Sequence, residues 1–266
     1  MGATIPPVSR SILPLSILIR TFNEADRVGA AIGSALALGS EIIVIDAGST
    51  DATVTICEEL GAKVFHHPWS GFGPQRRYGE ELCSHDYIFS LDADEVLPPD
   101  TAAEITRILL GRDPPRLLAL RKAMIFPHHE RPPRFGFCHR QILIYDRRIA
   151  RTAPDPNWDR LEIDIREKAH LIRQPLWHYS LRDWHHGVNK LNYVASLAAD
   201  TQPPRSRVSL ALRLIVEFPV TFLKFYVLRR YFLGGIDGFT MAIVGAFGRF
   251  MRIAMMLERS GHGHEK

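Results

Sequence analysis

Three carboxylates within four positions, Asp92, Asp94 and Glu95, close the apolar run Tyr87–Leu91. Like charges this close repel unless a cation compensates. A hard divalent ion such as Mg²⁺ or Mn²⁺ takes oxygen ligands, keeps open positions and bridges substrate phosphates. Taken alone, the string also reads as an acidic turn leading to the helix start Pro98-Pro99-Asp100. An earlier apolar run, Ile42–Ile45, ends in Asp46 and the small-residue turn Ala47-Gly48-Ser49-Thr50-Asp51. A helix begins near Ala52, and Thr50 or Asp51 would cap it. In open α/β sheets ligands bind beyond the carboxyl ends of the strands, so Asp46 stands where a ribose hydroxyl or base edge can be hydrogen-bonded. Together the two acidic strand ends describe a site for a nucleoside diphosphate with a metal.

The elements that must carry these residues alternate. Apolar runs at Leu15–Ile19, Glu41–Ile45, Val64–His66 and Tyr87–Leu91 are interleaved with helical segments near Ala25–Leu38 and Ala52–Gly61. Continuous apolar runs suit parallel strands buried on both faces, so the order predicts an α/β fold with a doubly wound, mostly parallel sheet and helices on both faces. A helix from Asp100 to about Leu110 follows, and then the Pro- and Arg-rich stretches Asp113–Arg116 and Arg131–Arg134, with strand-like runs at Leu117–Arg121 and Gln141–Tyr145. The apolar run Ile12–Ile19 is broken by Pro14 and Ser16, ends at Arg20 without a cleavage-like site, and reads as a strand rather than a signal peptide. Val208–Arg230 is strongly apolar but carries Arg213, Glu217 and Lys224 close to one helical face and is interrupted by Pro219; Gly238–Leu257 carries Arg249 and Arg252. Both are too short and too charged for ordinary membrane spans. They suit amphipathic helices lying in a membrane interface, a hydrophobic hairpin, or ordinary core helices.

Composition narrows the partners. The 266 residues carry 46% hydrophobic and 23% charged side chains with a net charge of +4, as an ordinary globular chain does. Basic residues gather in Arg112–Arg151 and Arg205–Arg230 while the first hundred residues lean acidic, which points to an anionic partner such as a diphosphate or an acidic lipid. Nucleic acid is disfavoured, because the basic segments lack repeated base-stacking aromatics. Cys57, Cys83 and Cys138 form neither a CxxC clip nor a disulfide framework and fit a reducing cytosol. The pairs His66-His67, His128-His129 and His185-His186 are adjacent residues whose side chains point apart, so none is a chelate by itself.

Arg20-Thr21-Phe22-Asn23-Glu24, Asp46–Asp51, Trp69–Arg76 and Leu91–Glu95 resemble, in order and spacing, the inverting glycosyltransferases of family 2, most closely the branch that adds a hexose to the inner core of lipopolysaccharide. The resemblance covers about Leu15 to Leu110 and returns at Leu176–Ser180 and Arg229–Gly238. It implies a GT-A fold that binds a UDP-sugar. Thr21, Phe22 and Glu24 would lie along the uracil and ribose, Asp46 at the base or ribose, and Arg76 or Arg77 near the nucleotide. By the same pattern Asp92 faces the ribose and supports the metal, Asp94 is the metal ligand, and Glu95 is secondary. His178 would contact the diphosphate or acceptor, or make a structural hydrogen bond.

An inverting transfer needs a base to take the acceptor proton. The family's acidic motif is expected shortly before the His-Tyr-Ser segment, where this chain has Asn157–Asp164 and no His-Glu pair. That leaves the base between Asp159 and Glu162. Asp159 is preferred because it follows Trp158, which would stack on a sugar, whereas Glu162 and Asp164 alternate with apolar residues as a strand's outward face does. The implied organisation is a catalytic domain over 1–200, with a nucleotide-binding half at about 12–112 and an acceptor-side half at about 113–200, and a membrane-associating helical region over 201–266. The implied activity is metal-dependent transfer of a hexose to a lipid-linked saccharide at the cytoplasmic face of the inner membrane. Arg205, Arg207, Arg213, Lys224, Arg229 and Arg230 would meet anionic lipid there. A sugar-1-phosphate nucleotidyltransferase would want a Gly-rich loop with Lys or Arg after the first strand, where Thr21–Glu24 stands. A non-catalytic glycan-binding or membrane-scaffold module is weighed against by the retained Asp92-Ala93-Asp94.

Overall fold

The structure, a computed structural model, describes residues 13–38, 41–163, 166–203 and 205–262. Ile12 of the expected first strand and Asp164 of the base window lie outside them. The chain divides into two compact units, Met1–Lys122 with Arg140–Leu176, and Ala123–His139 with Trp177–Lys266. The expected domain boundary near residue 200 falls at the end of a helix inside the second unit.

The first unit opens with β1 (Leu15–Thr21), α1 (Val28–Ala35), β2 (Glu41–Asp46), α2 (Thr53–Glu59), β3 (Lys63–His66), α3 (Phe72–Leu82), β4 (Tyr87–Asp92), β5 (Glu95–Val96) and α4 (Pro99–Leu109). The chain continues through β6 (Leu117–Met124), β7 (Cys138–Asp146), β8 (Ala150–Thr152), β9 (Leu161–Ile163) and β10 (His170–His178), with Ala123, Met124, Cys138, His139, Trp177 and His178 assigned to the second unit. The main sheet has the order β3-β2-β1-β4-β7-β6-β10-β5, and β8 pairs with β9 in a separate hairpin. β1 runs parallel to both β2 and β4, β2 runs parallel to β3, and β4 meets β7 antiparallel.

The apolar runs serve two cores at once. On β2, Ile42 and Val44 join the cluster under α1, α2 and α4, while Ile43 and Ile45 join the one under α3. On β1, Leu15, Ile17 and Ile19 face the first cluster and Leu18 the second. This period-2 division of an unbroken apolar run is what a strand covered on both faces produces. Each fully buried aliphatic side chain stabilises the sheet by about 1.5–3 kcal/mol. Strand order reverses between β1 and β4, which places a crevice at the carboxyl ends of β1, β2 and β4.

The second unit is helical: α5 (Trp184–Thr201), α6 (Arg207–Leu223), a π-helical turn at Lys224–Leu228, a 3₁₀ turn at Tyr231–Gly234, and α7 (Gly235–His262). Asp183 caps α5 by accepting from the His186 amide, and Ser206 caps α6 by accepting from the Ser209 amide. Pro219, expected to interrupt this segment, lies inside α6, which continues to Leu223. Proline removes one intrahelical bond at a cost of about 3 kcal/mol; packing of Leu210 and Leu214 with Ile253 and Met256 holds the helix pair together around it. The stretch Tyr231–Ser260 is long and apolar enough, by length and composition alone, to cross a membrane, where the sequence pattern favoured an interfacial helix.

Candidate active site

The last two residues of β1 point to opposite sides and start two halves of the site. Thr21 stands in register with Asp46 on β2, and Arg20 with Asp92 on β4.

On the first side, the Asp46 carboxylate is buried and accepts four hydrogen bonds. Thr21 Oγ1 (3.0 Å) and Ser49 Oγ (2.5 Å) donate to Oδ1; the amides of Gly48 (2.9 Å) and Ser49 (2.8 Å) donate to Oδ2. Burial pushes the Asp46 pKa up, but the bonds from Ser49, Gly48 and Thr21 outweigh it and hold it below the usual aspartate range. Gly48 takes φ +102°, a conformation side-chain-bearing residues rarely adopt, and so lets the turn fold back onto its own carboxylate. A base or ribose that bonds Asp46 directly must replace one of these donors. The loop after β1 is stitched to the same turn: the Asn23 amide donates to Ser49 Oγ, and the Thr50 amide to Asn23 Oδ1, both at 2.8 Å. Phe22, between them, is 58% exposed. Glu24 is held by Arg27, whose Nε donates to Oε2 at 2.9 Å, and Arg27 Nη1 also lies 3.9 Å from Asp94 Oδ2.

On the other side, Arg20 and Arg76 form a closed square with Asp92 and Asp159. Arg20 Nη2 lies 3.2 Å from Asp92 Oδ1 and 2.8 Å from Asp159 Oδ2; Arg76 Nη2 lies 2.8 Å and 3.1 Å from the same two atoms. Lys122, on β6, pairs with Glu95 Oε1 and lies 3.5 Å from Asp92 Oδ2. Glu95 Oε2 accepts from the Asp92 amide at 3.0 Å. Burial lowers the Arg20 pKa, with Arg76 adding to it, whereas at Arg76 burial is outweighed by Asp159 and Asp92 and the pKa rises. Both guanidiniums stay charged. For Asp159, burial is outweighed by Arg76 and Arg20 and the pKa falls; for Lys122, burial is outweighed by Glu95 and Asp92 and the pKa rises. Arg20 Nε and Arg76 Nε are buried donors with no acceptor among the described residues.

Three cations thus face three carboxylates, Asp92, Asp159 and Glu95, so two of the three charges of the acidic triplet are compensated by Arg20, Arg76 and Lys122, while Asp94 has Arg27 at 3.9 Å. Among the described residues no three His, Cys, Asp or Glu side chains form a group that could hold a metal ion unaided. Asp94, at the turn just beyond β4, fits a different arrangement, since Mg²⁺ and Mn²⁺ bind through one or two carboxylates plus substrate phosphates. The donor set therefore suits a metal that arrives with a diphosphate.

Of the sequence candidates, Thr21 and Asp46 are bonded to each other, while Arg76, Asp92 and Asp159 share one network. Arg77 turns to β8, donating to the Thr152 carbonyl at 3.0 Å and lying 3.8 Å from Glu81. Glu162 sits exposed on β9 in register with Arg151. His178 belongs to the second unit, where its carbonyl accepts from the Ile125 amide. Lys122 was absent from the sequence candidates, and Arg20 stood in the first motif without an assigned role. Lys122 had a signal: it continues the alternation Leu118, Leu120 on the buried face of β6.

An open, mostly parallel α/β sheet with a small-residue turn after β2 and an acidic turn after β4 is a GT-A-type architecture. The family model described as Glycosyl transferase family 2 matches residues 16–110. An uncharacterized glycosyltransferase of Rickettsia felis is 33% identical over 253 residues, covering 92% of this chain and 89% of its own. The lipopolysaccharide core biosynthesis glycosyltransferase LpsC of Rhizobium meliloti is 26% identical over 263 residues, with 93% of each chain covered. The crystal structure of S. aureus TarS 1-349 superposes with a TM-score of 0.44 at 14% identity, covering 94% of this chain and 92% of that one. The chain belongs to glycosyltransferase family 2.

Proposed function

We propose that this enzyme transfers a hexose from a UDP-sugar, with inversion, to a lipid-linked saccharide such as lipopolysaccharide core. The observation that carries the reading is the square of Arg20, Arg76, Asp92 and Asp159, which ties a carboxylate from the β8–β9 loop to the acidic end of β4. In this reading the loop shaped by Thr21, Asp46 and Ser49 cradles the uridine and Phe22 covers it. Asp94, supported by Asp92, would hold Mg²⁺ or Mn²⁺, which when bound neutralises charge on the departing diphosphate. The acceptor hydroxyl oxygen attacks the anomeric carbon, the bond from that carbon to the diphosphate oxygen breaks, and Asp159 Oδ1 takes the hydroxyl proton. Arg20 and Arg76 grip Oδ2 and so fix the direction in which Oδ1 is presented. Trp158, 40% exposed beside it, offers a surface for a sugar ring.

The lipid-linked acceptor is suggested by the relative named for lipopolysaccharide core biosynthesis and by the long apolar helix Tyr231–Ser260. Residues 1–200 would then serve catalysis and 201–266 would associate with the anionic cytoplasmic face of the inner membrane. A thermal-shift panel of UDP-, GDP- and dTDP-sugars with Mn²⁺ tests the donor. UDP-glucose should stabilise the protein only when Mn²⁺ is present, and Asp94→Asn should remove that dependence. Stabilisation by non-uridine nucleotides alone would overturn the donor assignment.

A further inference from the structure

Four non-glycine residues among those described have left-handed backbone, and three of them, His128, Phe135 and Arg230, lie in two segments of the second unit that touch each other. Such conformations cost free energy and persist where the surroundings over-determine them, commonly at functional surfaces. The surroundings are tight here. Arg230 Nη1 donates to the Phe135 carbonyl at 3.5 Å, the Arg229 guanidinium is sandwiched between Phe137 (4.8 Å) and Phe225 (4.6 Å), and His129 Nε2 meets Asp237 Oδ2 at 2.8 Å. At Gly238 a Cβ would come within 1.8 Å of the Tyr231 carbonyl oxygen, so only glycine permits this closure. The α6–α7 turn is clamped to the segment carrying Phe135.

What the clamp displays is apolar. Phe135, Leu228 and Ile236 are 71%, 75% and 74% exposed. Along α6, Val208, Leu212, Ile215, Val220 and Leu223 are exposed at helical spacing on one face. One carboxylate of these helices is turned inward: Glu217 is buried, with Arg213 at 3.0 Å, Arg249 at 3.3 Å and Arg252 at 4.0 Å. A buried charge cluster at Glu217 and Arg252 beneath a face of bare aliphatic side chains departs from the arrangement of a water-facing helix pair. Around the clamp, segments Ala123–His139 and Lys224–Asp237 hold Arg131, Arg134, Lys224, Arg229 and Arg230 against two carboxylates, Glu130 and Asp237, the latter tied to His129. Two copies meeting through this face would oppose like charges.

We propose that this face docks on an anionic bilayer, with Phe135, Leu228, Ile236 and the outer face of α6 in the boundary between headgroups and acyl chains, and Arg134, Lys224 and Arg230 at the lipid phosphates. The inference deepens the proposed membrane association by naming the surface and its lipid. It is tested by flotation of the full chain with phosphatidylcholine vesicles, with and without phosphatidylglycerol. The parent should float with phosphatidylglycerol vesicles and progressively less as salt rises. The double variant R134Q/R230Q should lose roughly 30-fold in partitioning, about fivefold per cation. L228E/I236E should lose binding to both vesicle types. Both variants alter exposed side chains, and unchanged melting and UDP-glucose hydrolysis in solution verify the fold. Undiminished flotation of both variants overturns the proposal, and so does a vesicle-free dimer of the parent that L228E/I236E dissolves while flotation is retained. Absence of donor hydrolysis with flotation intact refutes the glycosyl-transfer reading and leaves this surface standing.

Discussion

Replacing Arg76 by methionine isolates the electrostatic logic of the site. Arg76 is 4% exposed and its Nη2 reaches both Asp92 and Asp159. Removing one partner of a buried ion pair costs about 3–5 kcal/mol, because the other charge is left uncompensated. Here Asp92 and Asp159 side chains are 32% and 28% exposed and Arg20 still contacts both, so solvent and the remaining guanidinium reduce the loss to about 2–3 kcal/mol. That lowers the melting temperature by roughly 4–12 °C for a chain of this size. The pH dependence carries a sharper signature. In the parent, the cations hold the Asp159 pKa below its ordinary value, so its contribution to stability is present at neutral pH and is lost only as pH falls through that depressed pKa. With Asp159 as the base, the acid limb of kcat/KM lies below the ordinary aspartate range. In R76M one of the two cations that favour the carboxylate is gone, so the limb moves to higher pH. Circular dichroism melts and a kcat/KM profile with UDP-glucose measure both effects. A variant that melts within about 0.5 kcal/mol of the parent and keeps its acid limb refutes the account of the square.

Two further predictions concern the same cluster. K122M leaves Glu95, which is fully buried, without its ammonium partner and should destabilise by about 3–5 kcal/mol in denaturant titration; adding E95Q should recover part of that loss. D159N should abolish hexose transfer while E162Q stays within about 0.5 kcal/mol of parent stability and retains turnover, because Glu162 is an exposed strand residue; the opposite pattern would assign the base to Glu162.

The alternation of strands and helices was legible because the first hundred residues carry local signals: Ile42–Ile45 is an unbroken aliphatic run, and Asp46 and Asp92 end their strands where the pattern put them. The short strand β8 was not, since three residues have too little periodicity to read, whereas Glu162 was expected on a strand's outward face and lies exposed on β9. The site itself was half legible. Its acids stand in short motifs, but their counter-charges come from Arg20 one strand away and Lys122 beyond α4, contacts made only by strand order. Asp46 was legible as a carboxylate at a strand end, but the hydrogen bonds it accepts from Thr21, Gly48 and Ser49 depend on the pairing of β1 with β2 and on the turn, which sequence does not reveal. The excursion Ala123–His139, which joins the helical unit, is likewise a product of long-range packing.

The self-neutralised cluster bears on how descendants of this chain lose activity. Asp92 and Glu95 anchor Arg20, Arg76 and Lys122, so their replacement endangers folding and selection on stability alone retains them. Asp94 lies outside that square and outside the Lys122 pair, with Arg27 at 3.9 Å, and its replacement leaves the square intact. Among such paralogues an acidic string after β4 therefore attests a preserved scaffold; on the proposed reading, in which Asp94 holds the metal, position 94 is the one whose loss would mark a silent copy.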